Sequence, residues 1–242
     1  MSVHTPQLAP IVVLAFFGTA FLVIASLFVG FAGIFRKSRP LTLGGIAAAA
    51  VVTLVYGLVL LGLSLISRDV ELPPGAWKYF CEIDCHIANS VVRVQVLRRA
   101  PQELRREAAA PKIVLVQLRT WFDPSTISPH RGNGPLMPGD RSVRLIDGQG
   151  RKFAESPKTA VLLAESGLRS TPLRTPLEPG ESYDSFLVFE TPPESHDFCL
   201  LVTSAEGLDA AIWGHEISPF HGKAYFGIRN TTAAAARAAT NL

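Results

Sequence analysis

Two long runs of apolar residues open the chain and define its first expected elements. Residues 11–35 contain no charged side chain, and residues 41–66 again contain none. Each run exceeds the ~20 residues that an α-helix needs to cross the hydrocarbon core of a bilayer. A cleaved signal peptide has a shorter apolar region and a basic beginning, whereas residues 1–10 have no Lys or Arg. We therefore predict a transmembrane helical hairpin over residues 1–66.

Beyond residue 66 the apolar positions alternate with polar ones, which is typical of half-buried strands. The strand-like runs are residues 80–87, 92–96, 113–122, 141–146, 151–153, 183–189, 198–203 and 223–228. A turn signal, Asp-Gly-Gln-Gly at 147–150, joins two of them into a hairpin. The stretches 67–75 and 154–176 are expected to be irregular. About seven short strands predict a mainly β, antiparallel sandwich over residues 67–230, followed by an Ala-rich tail over 231–242.

Two segments of this domain carry a family resemblance. They are the hairpin LIDGQGRKF at 145–153 and the strand PLEPGESYDSFLVFETP at 176–192, which has a leading Pro-Gly-Glu and a trailing Pro. In this order they resemble the immunoglobulin-like, telokin-like extracytoplasmic domains of bacterial membrane-anchored proteins and lipoproteins. The resemblance covers about residues 91–203. It implies an immunoglobulin-like fold and a binding role, and it brings no catalytic residues.

The charge pattern predicts how the hairpin is oriented. Arg36, Lys37 and Arg39 lie between the two apolar runs, and positive charge in short loops stays on the cytoplasmic side. Both termini and the β domain are then expected outside the cytoplasm, on the periplasmic face of the inner (plasma) membrane in a bacterium. The three loop cations also account for the whole formal excess of +3. The β domain itself is balanced, which argues against a nucleic-acid partner.

The composition of the spans narrows the function classes further. Neither span contains an ionisable residue of the kind that marks an ion or proton path, so transport by this chain alone is not expected. The spans are rich in glycine, including Gly30, Gly33, Gly44 and Gly45. Small residues let helix backbones approach closely in lipid. They serve either the packing of the hairpin on itself or its docking against helices of another subunit.

Residues that could bind a metal ion lie towards both ends of the β domain. They are Cys81, Cys85, His86, His215 and His221, with Glu216 next to His215. Thiolate and imidazole together suit copper or zinc. On an extended strand Cys81 and Cys85 would lie ~13 Å apart, so one ion could hold both only if that segment turns. The structural alternatives are a disulfide from Cys81 or Cys85 to Cys199, a buried thiol, and histidines that hydrogen-bond locally.

The architecture also resembles subunit II of haem-copper oxidases, which has a two-helix hairpin followed by an outer β domain with a copper-binding Cys-x-x-x-Cys. That resemblance implies Cys81 and Cys85 as copper ligands. In the family the motif lies late in the domain and is followed by a His four residues after the second Cys, where this chain has Asn89, and then by a Met. His86 has no counterpart there.

Catalytic signatures such as G-x-S-x-G, H-E-x-x-H and a Walker loop are absent from the sequence, so we expect neither catalytic residues nor a cofactor. The first functional hypothesis is a non-catalytic, membrane-anchored accessory subunit. Its expected partners are the lipid bilayer and other subunits of a larger membrane complex, respiratory or photosynthetic. The alternative is a periplasmic copper-binding or thiol-redox protein that uses Cys81, Cys85 and His86. A third hypothesis is a ligand-binding module that uses the Pro/Gly-rich loop at 123–140.

Overall fold

The computed structural model describes residues 9–80, 86–97, 111–126, 131–165 and 167–228. They divide into two compact units. The first, the helical unit, contains the hairpin up to residue 68 together with residues 206–222. The second, the two-sheet unit, contains the described residues of 69–205 together with residues 223–228.

Two helices build most of the helical unit, α1 over Ala9–Phe35 and α2 over Arg39–Ile66. Both are long and apolar enough to cross a membrane, so the two predicted helices are confirmed. α2 begins at Arg39, two residues before the uncharged run that starts at Leu41. Pro40 is tolerated there since the first turn of a helix has N–H groups without intrahelical partners.

Three glycines allow the two helices to pack closely. A Cβ atom built on Gly45 would lie 2.3 Å from the backbone nitrogen of Gly30, and one built on Gly33 would lie 2.5 Å from that of Thr42. By contrast, a Cβ on the neighbouring Gly44 would have nothing within 4 Å. These glycines therefore allow α1 to pack on α2, which is one of the two roles that the sequence analysis proposed for the small residues.

In its described residues the two-sheet unit contains nine strands and one short α-helix. The strands are β1 Val70–Leu72, β2 Lys78–Phe80, β3 Ile87–Leu97, β4 Lys112–Phe122, β5 Arg141–Ile146, β6 Lys152–Phe153, β7 Ser182–Thr191, β8 Phe198–Ser204 and β9 Ala224–Ile228; the helix α3 covers Pro157–Glu165. One sheet has the strand order β1-β9-β8-β5-β6 and the other has the order β2-β3-β4-β7. Within each sheet every neighbouring pair is antiparallel except β1 and β9, which are parallel.

The two sheets share one hydrophobic core. Its buried side chains come from both sheets: Phe80, Val91, Val114, Val116, Leu118, Val143, Leu145, Leu187, Phe189, Phe198, Leu200, Val202, Phe226 and Ile228. A smaller cluster lies on the other face of β4 and β7, where Ile113 and Val188 pack with Ala160 of α3. β4 is therefore buried on both faces, which explains why its sequence is almost continuously apolar instead of alternating between apolar and polar residues.

The hairpin predicted from the Asp-Gly-Gln-Gly signal is confirmed as β5 and β6. Gly150 adopts a φ of +79°, a conformation that L side chains rarely occupy. The Asp147 carboxylate accepts the N–H groups of Gln149 at 3.1 Å and of Arg151 at 2.9 Å, which fixes the turn. Hydrogen bonds between residues close in the sequence thus account for this hairpin.

Several finer predictions were wrong. Residues 81–85 of the strand predicted over 80–87 lie outside the described residues; Phe80 ends β2 and Ile87 begins β3, and these two residues are partners across the antiparallel pair. The stretch expected to be irregular after β6 contains α3, and the stretch after residue 66 contains β1. Because β1 pairs in parallel with β9, the domain is mainly rather than wholly antiparallel. The predicted tail at 231–242 lies outside the described residues.

Candidate functional site

His86 is the one predicted metal ligand that the structure describes in the two-sheet unit. Its side chain is 2% exposed, and its ring stacks on that of Phe122 with centroids 5.6 Å apart. The guanidinium of Arg131 lies 5.0 Å from the centre of the same Phe122 ring. Cys81 and Cys85 lie outside the described residues, so the copper-binding motif stays a prediction.

A buried carboxylate, Asp123, lies in the same cluster. Its Oδ2 accepts a hydrogen bond from the Tyr79 hydroxyl at 2.6 Å, and its Oδ1 accepts from the N–H and the hydroxyl of Ser125 at 2.8 and 2.6 Å. Burial alone would raise the pKa of Asp123, but these hydrogen bonds and the positive charge of a protonated His86 lower it below its ordinary value. Asp123 is therefore a carboxylate at neutral pH.

Tyr79 responds in the opposite direction. Burial, the hydrogen bond to Asp123 and the negative charge of that carboxylate raise the pKa of Tyr79 to about 12. Its hydroxyl stays protonated at neutral pH and acts as a donor, not as a base. Together with the bond from the Asp123 N–H to the His86 carbonyl at 2.8 Å, these contacts tie the ends of β2, β3 and β4 together. The cluster therefore acts as an anchor for the loop that follows β4.

His215 and His221 belong to the helical unit. The His215 Nε2 lies 3.6 Å from a carboxylate oxygen of Asp209, and its Nδ1 accepts the N–H of Ile217 at 3.3 Å. The His221 Nδ1 lies 2.7 Å from the carbonyl oxygen of Gly222, so this nitrogen carries a hydrogen. Glu216 is buried in the same segment. Within the described ranges, no three His, Cys, Asp or Glu side chains are grouped so that they could hold a metal ion.

Cys199, on β8, is a half-buried thiol. Burial and the negative charge of Glu71 raise its pKa, so the reactive thiolate is disfavoured. In the described part of the chain it forms no disulfide. Because Cys81 and Cys85 lie outside that part, the pairing suggested by the sequence stays a prediction.

Part of β3 forms an open sheet edge on the described surface of the two-sheet unit. On one side, β3 pairs with β4 from Ile87 to Leu97, with a bulge at Val92. On its other side, β3 pairs with β2 only at residues 87–89. Among the described residues, 93–97 of β3 thus pair with β4 alone. Val92 is 43% exposed there. Unpaired N–H and C=O groups on such an edge can accept a further strand.

A groove adjoins this edge on the outer face of the same sheet. It has a volume of about 250 Å³ and is lined by Arg93, Gln95, Leu115, Gln117, Leu168 and Phe186. Cross-strand pairing sets its floor, since Arg93 pairs with Gln117 and Gln117 with Phe186. Small-molecule sites usually measure ~300–1,000 Å³, so a groove of this size suits one or two side chains of a partner protein better than a metabolite.

No known family model matches the chain, and no curated protein matches it either. Among solved structures, a conserved hypothetical protein from Bacillus anthracis is 16% identical, covers 48% of this chain and 82% of its own, and gives a TM-score of 0.35. The secreted protein MPT63 from Mycobacterium tuberculosis is 8% identical, with 66% and 98% covered and a TM-score of 0.39. The yjhA protein from Bacillus subtilis is 10% identical, with 65% and 98% covered and a TM-score of 0.37. Such low TM-scores assign neither the fold nor a function.

Proposed function

We propose that this chain is a non-catalytic, membrane-anchored accessory subunit. Its helical hairpin spans the membrane with the Arg36, Lys37 and Arg39 side in the cytoplasm, and its two-sheet unit, an immunoglobulin-like sandwich, lies outside the cytoplasm. That unit binds another protein of a larger membrane complex. Respiratory and photosynthetic assemblies are the first complexes to test.

The observation that carries this proposal is the open edge of β3 beside its groove. An exposed edge is a liability that soluble domains usually cover or shorten. An added strand would gain main-chain hydrogen bonds from β3, and its alternate side chains would enter the groove beside Arg93 and Gln95. Six residues, from Val92 to Leu97, provide ~20 Å of edge, enough for a partner strand of ordinary length.

The chemistry of the described side chains is consistent with a binding role. The buried Asp123 has its two carboxylate oxygens committed to Tyr79 and Ser125, and the Tyr79 hydroxyl stays protonated. The Cys199 pKa is raised, opposite to the shift that activates a nucleophilic thiol. The contacts of these groups are structural. The open edge of β3 takes no part in those contacts.

Site-specific photocrosslinking in native membranes tests the proposal. A photoreactive residue is placed at Val92 or Gln95 on the edge, and at the exposed Met137 as a matched control elsewhere in the two-sheet unit. We expect one and the same protein to be crosslinked from both edge positions and not from Met137. In mild detergent, Val92→Lys should weaken co-purification of that protein about tenfold, which is about 1.4 kcal/mol, whereas Met137→Lys should not.

Two results would contradict the proposal. One is a chain that migrates alone in mild detergent and gives no crosslink from the edge. The other is a reporter fused after Leu242 that is reachable only from the cytoplasm, which would reverse the proposed orientation.

A further inference from the structure

Residues 207–222 form part of the helical unit, although they lie far from the hairpin in sequence. The Trp213 ring stacks on Tyr56 with centroids 4.8 Å apart, and the Trp213 indole N–H donates to the Tyr56 carbonyl at 3.3 Å. At the other end, the Gly222 N–H donates to the Ser67 hydroxyl at 2.7 Å. Tyr56 and Ser67 are separated by ~16 Å of helix at 1.5 Å per residue. This segment, which we name the collar, therefore follows the last three turns of α2.

The collar buries several polar side chains and exposes two of its large apolar ones, while Ile212, Trp213 and Ile217 are partly buried. Leu208 is 75% exposed and Phe220 is 77% exposed. The polar side chains that are buried are Asp209, Glu216, Ser218 and His221. A loop in water normally shows the reverse arrangement, because burying polar groups costs free energy and burying apolar groups gains it. Such an inversion fits a segment whose surroundings are apolar.

The last turns of α2, which the collar follows, also expose apolar side chains. Leu58, Leu65 and Ile66 of α2 are all exposed by more than half of their side-chain surface. The end of α2 thus exposes apolar side chains over the same turns that the collar follows. We propose that the collar is inserted into the membrane interface opposite the Arg36 to Ser38 turn, with Leu208 and Phe220 in contact with lipid where headgroups and acyl chains meet.

The lengths of the helices give the depth. α1 and α2 have 27 and 28 residues, or ~40–42 Å, against a hydrocarbon core of ~30 Å. The cations at the turn hold that end at one membrane surface, so the excess length falls on the collar side. The collar then lies at the boundary of headgroups and acyl chains. The stacked Tyr56 and Trp213 are the residue types enriched there.

The backbone of the collar is suited to this depth. Four of its N–H groups, spaced three residues apart, bond to carbonyls three residues earlier: Ile212 to Asp209 at 3.1 Å, His215 to Ile212 at 3.2 Å, Ser218 to His215 at 2.9 Å and His221 to Ser218 at 3.1 Å. Near hydrocarbon, backbone groups need partners within the protein, because water is scarce. A segment without regular helix can therefore lie in the interfacial zone.

Tryptophan quenching in nanodiscs of the purified full chain tests this insertion. The variants Leu208→Trp and Phe220→Trp each add one indole at an exposed position, so neither disturbs the interior. Met137→Trp is the matched exposed control in the two-sheet unit, and Val51→Trp reports the middle of α2. Each is measured in dioleoylphosphatidylcholine with and without bromine on the upper acyl chain, and with aqueous iodide. The parent signal, which contains three indoles, is subtracted.

We expect brominated lipid to quench the added indoles at 208 and 220 about twofold more than that at 137, and iodide to show the reverse order. The inference rests on the hairpin spanning the bilayer, and the Val51→Trp variant separates the two claims. Lipid quenching at 51 with iodide quenching at both 208 and 220 would overturn the insertion alone. Iodide quenching at 51 would overturn the membrane anchor as well. Indoles at 208 and 220 that iodide reaches in nanodiscs but not in native membranes would show that a protein covers the collar instead, which also overturns the insertion.

Discussion

Replacing Gly45 by alanine tests the close contact on which the hairpin depends. The added Cβ would lie 2.3 Å from the Gly30 nitrogen and 2.6 Å from the Ser26 carbonyl oxygen, and both of these are backbone atoms that cannot rotate away. Normal contacts between such atoms are ~3.5 Å, so the helices must separate locally by about 1 Å. Overpacking of this kind typically costs about 1–3 kcal/mol.

The matched control is the neighbouring residue. An alanine at Gly44 meets nothing within 4 Å, and the intrinsic helix propensity favours alanine over glycine by up to ~1 kcal/mol. We therefore expect Gly44→Ala to be neutral or stabilising and Gly45→Ala to be destabilising, with a difference of about 1–3 kcal/mol between them, because the propensity gain is common to both.

The assay is an SDS titration of the chain in detergent micelles, followed by the fluorescence of Trp213. The substitutions Trp77→Phe and Trp121→Phe leave Trp213 as the single indole, and its ring stacks on Tyr56 of α2. Gly45→Ala should lower the midpoint, and Gly44→Ala should not. Equal midpoints for the two variants would refute the packing of α1 on α2 at this contact.

Three further predictions concern the two-sheet unit. Asp123→Asn should destabilise it by about 1–2 kcal/mol at neutral pH. Because the folded pKa of Asp123 lies below its ordinary 3.8, the carboxylate stabilises the fold above pH 3.8 and this contribution is lost as the pH falls through the folded pKa, so the difference between the two proteins in denaturant titrations should be constant from pH 7 to about pH 5 and shrink below pH 3.8. Because its pKa is raised, the Cys199 thiol should react with iodoacetamide more slowly than a free cysteine at neutral pH, and the reaction should accelerate as the pH rises. Mass spectrometry of the peptide that contains Cys199 measures the rate. Rapid alkylation of Cys199 at neutral pH would contradict its burial. Lys78 is 2% exposed, and its ammonium donates to the carbonyls of Val202 at 2.5 Å and Ala224 at 3.0 Å. Lys78→Met should therefore lower the free energy of unfolding by about 2 kcal/mol or more, measured by denaturant titration. An unchanged midpoint would show that water replaces those bonds.

Local patterns were sufficient to predict the elements that depend on local physics. Charge-free runs longer than a bilayer crossing predicted α1 and α2, and the Asp147 turn predicted β5 and β6, since the same few residues supply both the signal and the hydrogen bonds. The second predicted run started at Leu41 because it was bounded by the absence of charge, whereas the helix begins at Arg39, since its first turn accepts Pro40. These predictions needed no knowledge of distant contacts.

Elements that depend on distant partners could not be predicted in this way. β1 has three residues and becomes a strand only because Val70, Glu71 and Leu72 pair with β9 about 150 positions later. The contact between Tyr79 and Asp123 likewise depends on where β2 pairs with β3. Asp123 itself carried a signal, since Asp-Pro-Ser is a common turn pattern in which the carboxylate accepts from the residue two positions on.

The collar also explains why the C-terminal histidines suggested a metal site in the sequence. A buried polar side chain needs a partner within the protein, because bulk water does not reach it. His215 faces Asp209 at 3.6 Å, and His221 bonds to the carbonyl of Gly222 at 2.7 Å. A cluster of His and acidic residues therefore has two physical origins, metal binding and mutual satisfaction of buried polar groups. Sequence spacing does not distinguish them, whereas the exposure of Leu208 and Phe220 beside the buried polar groups favours the second.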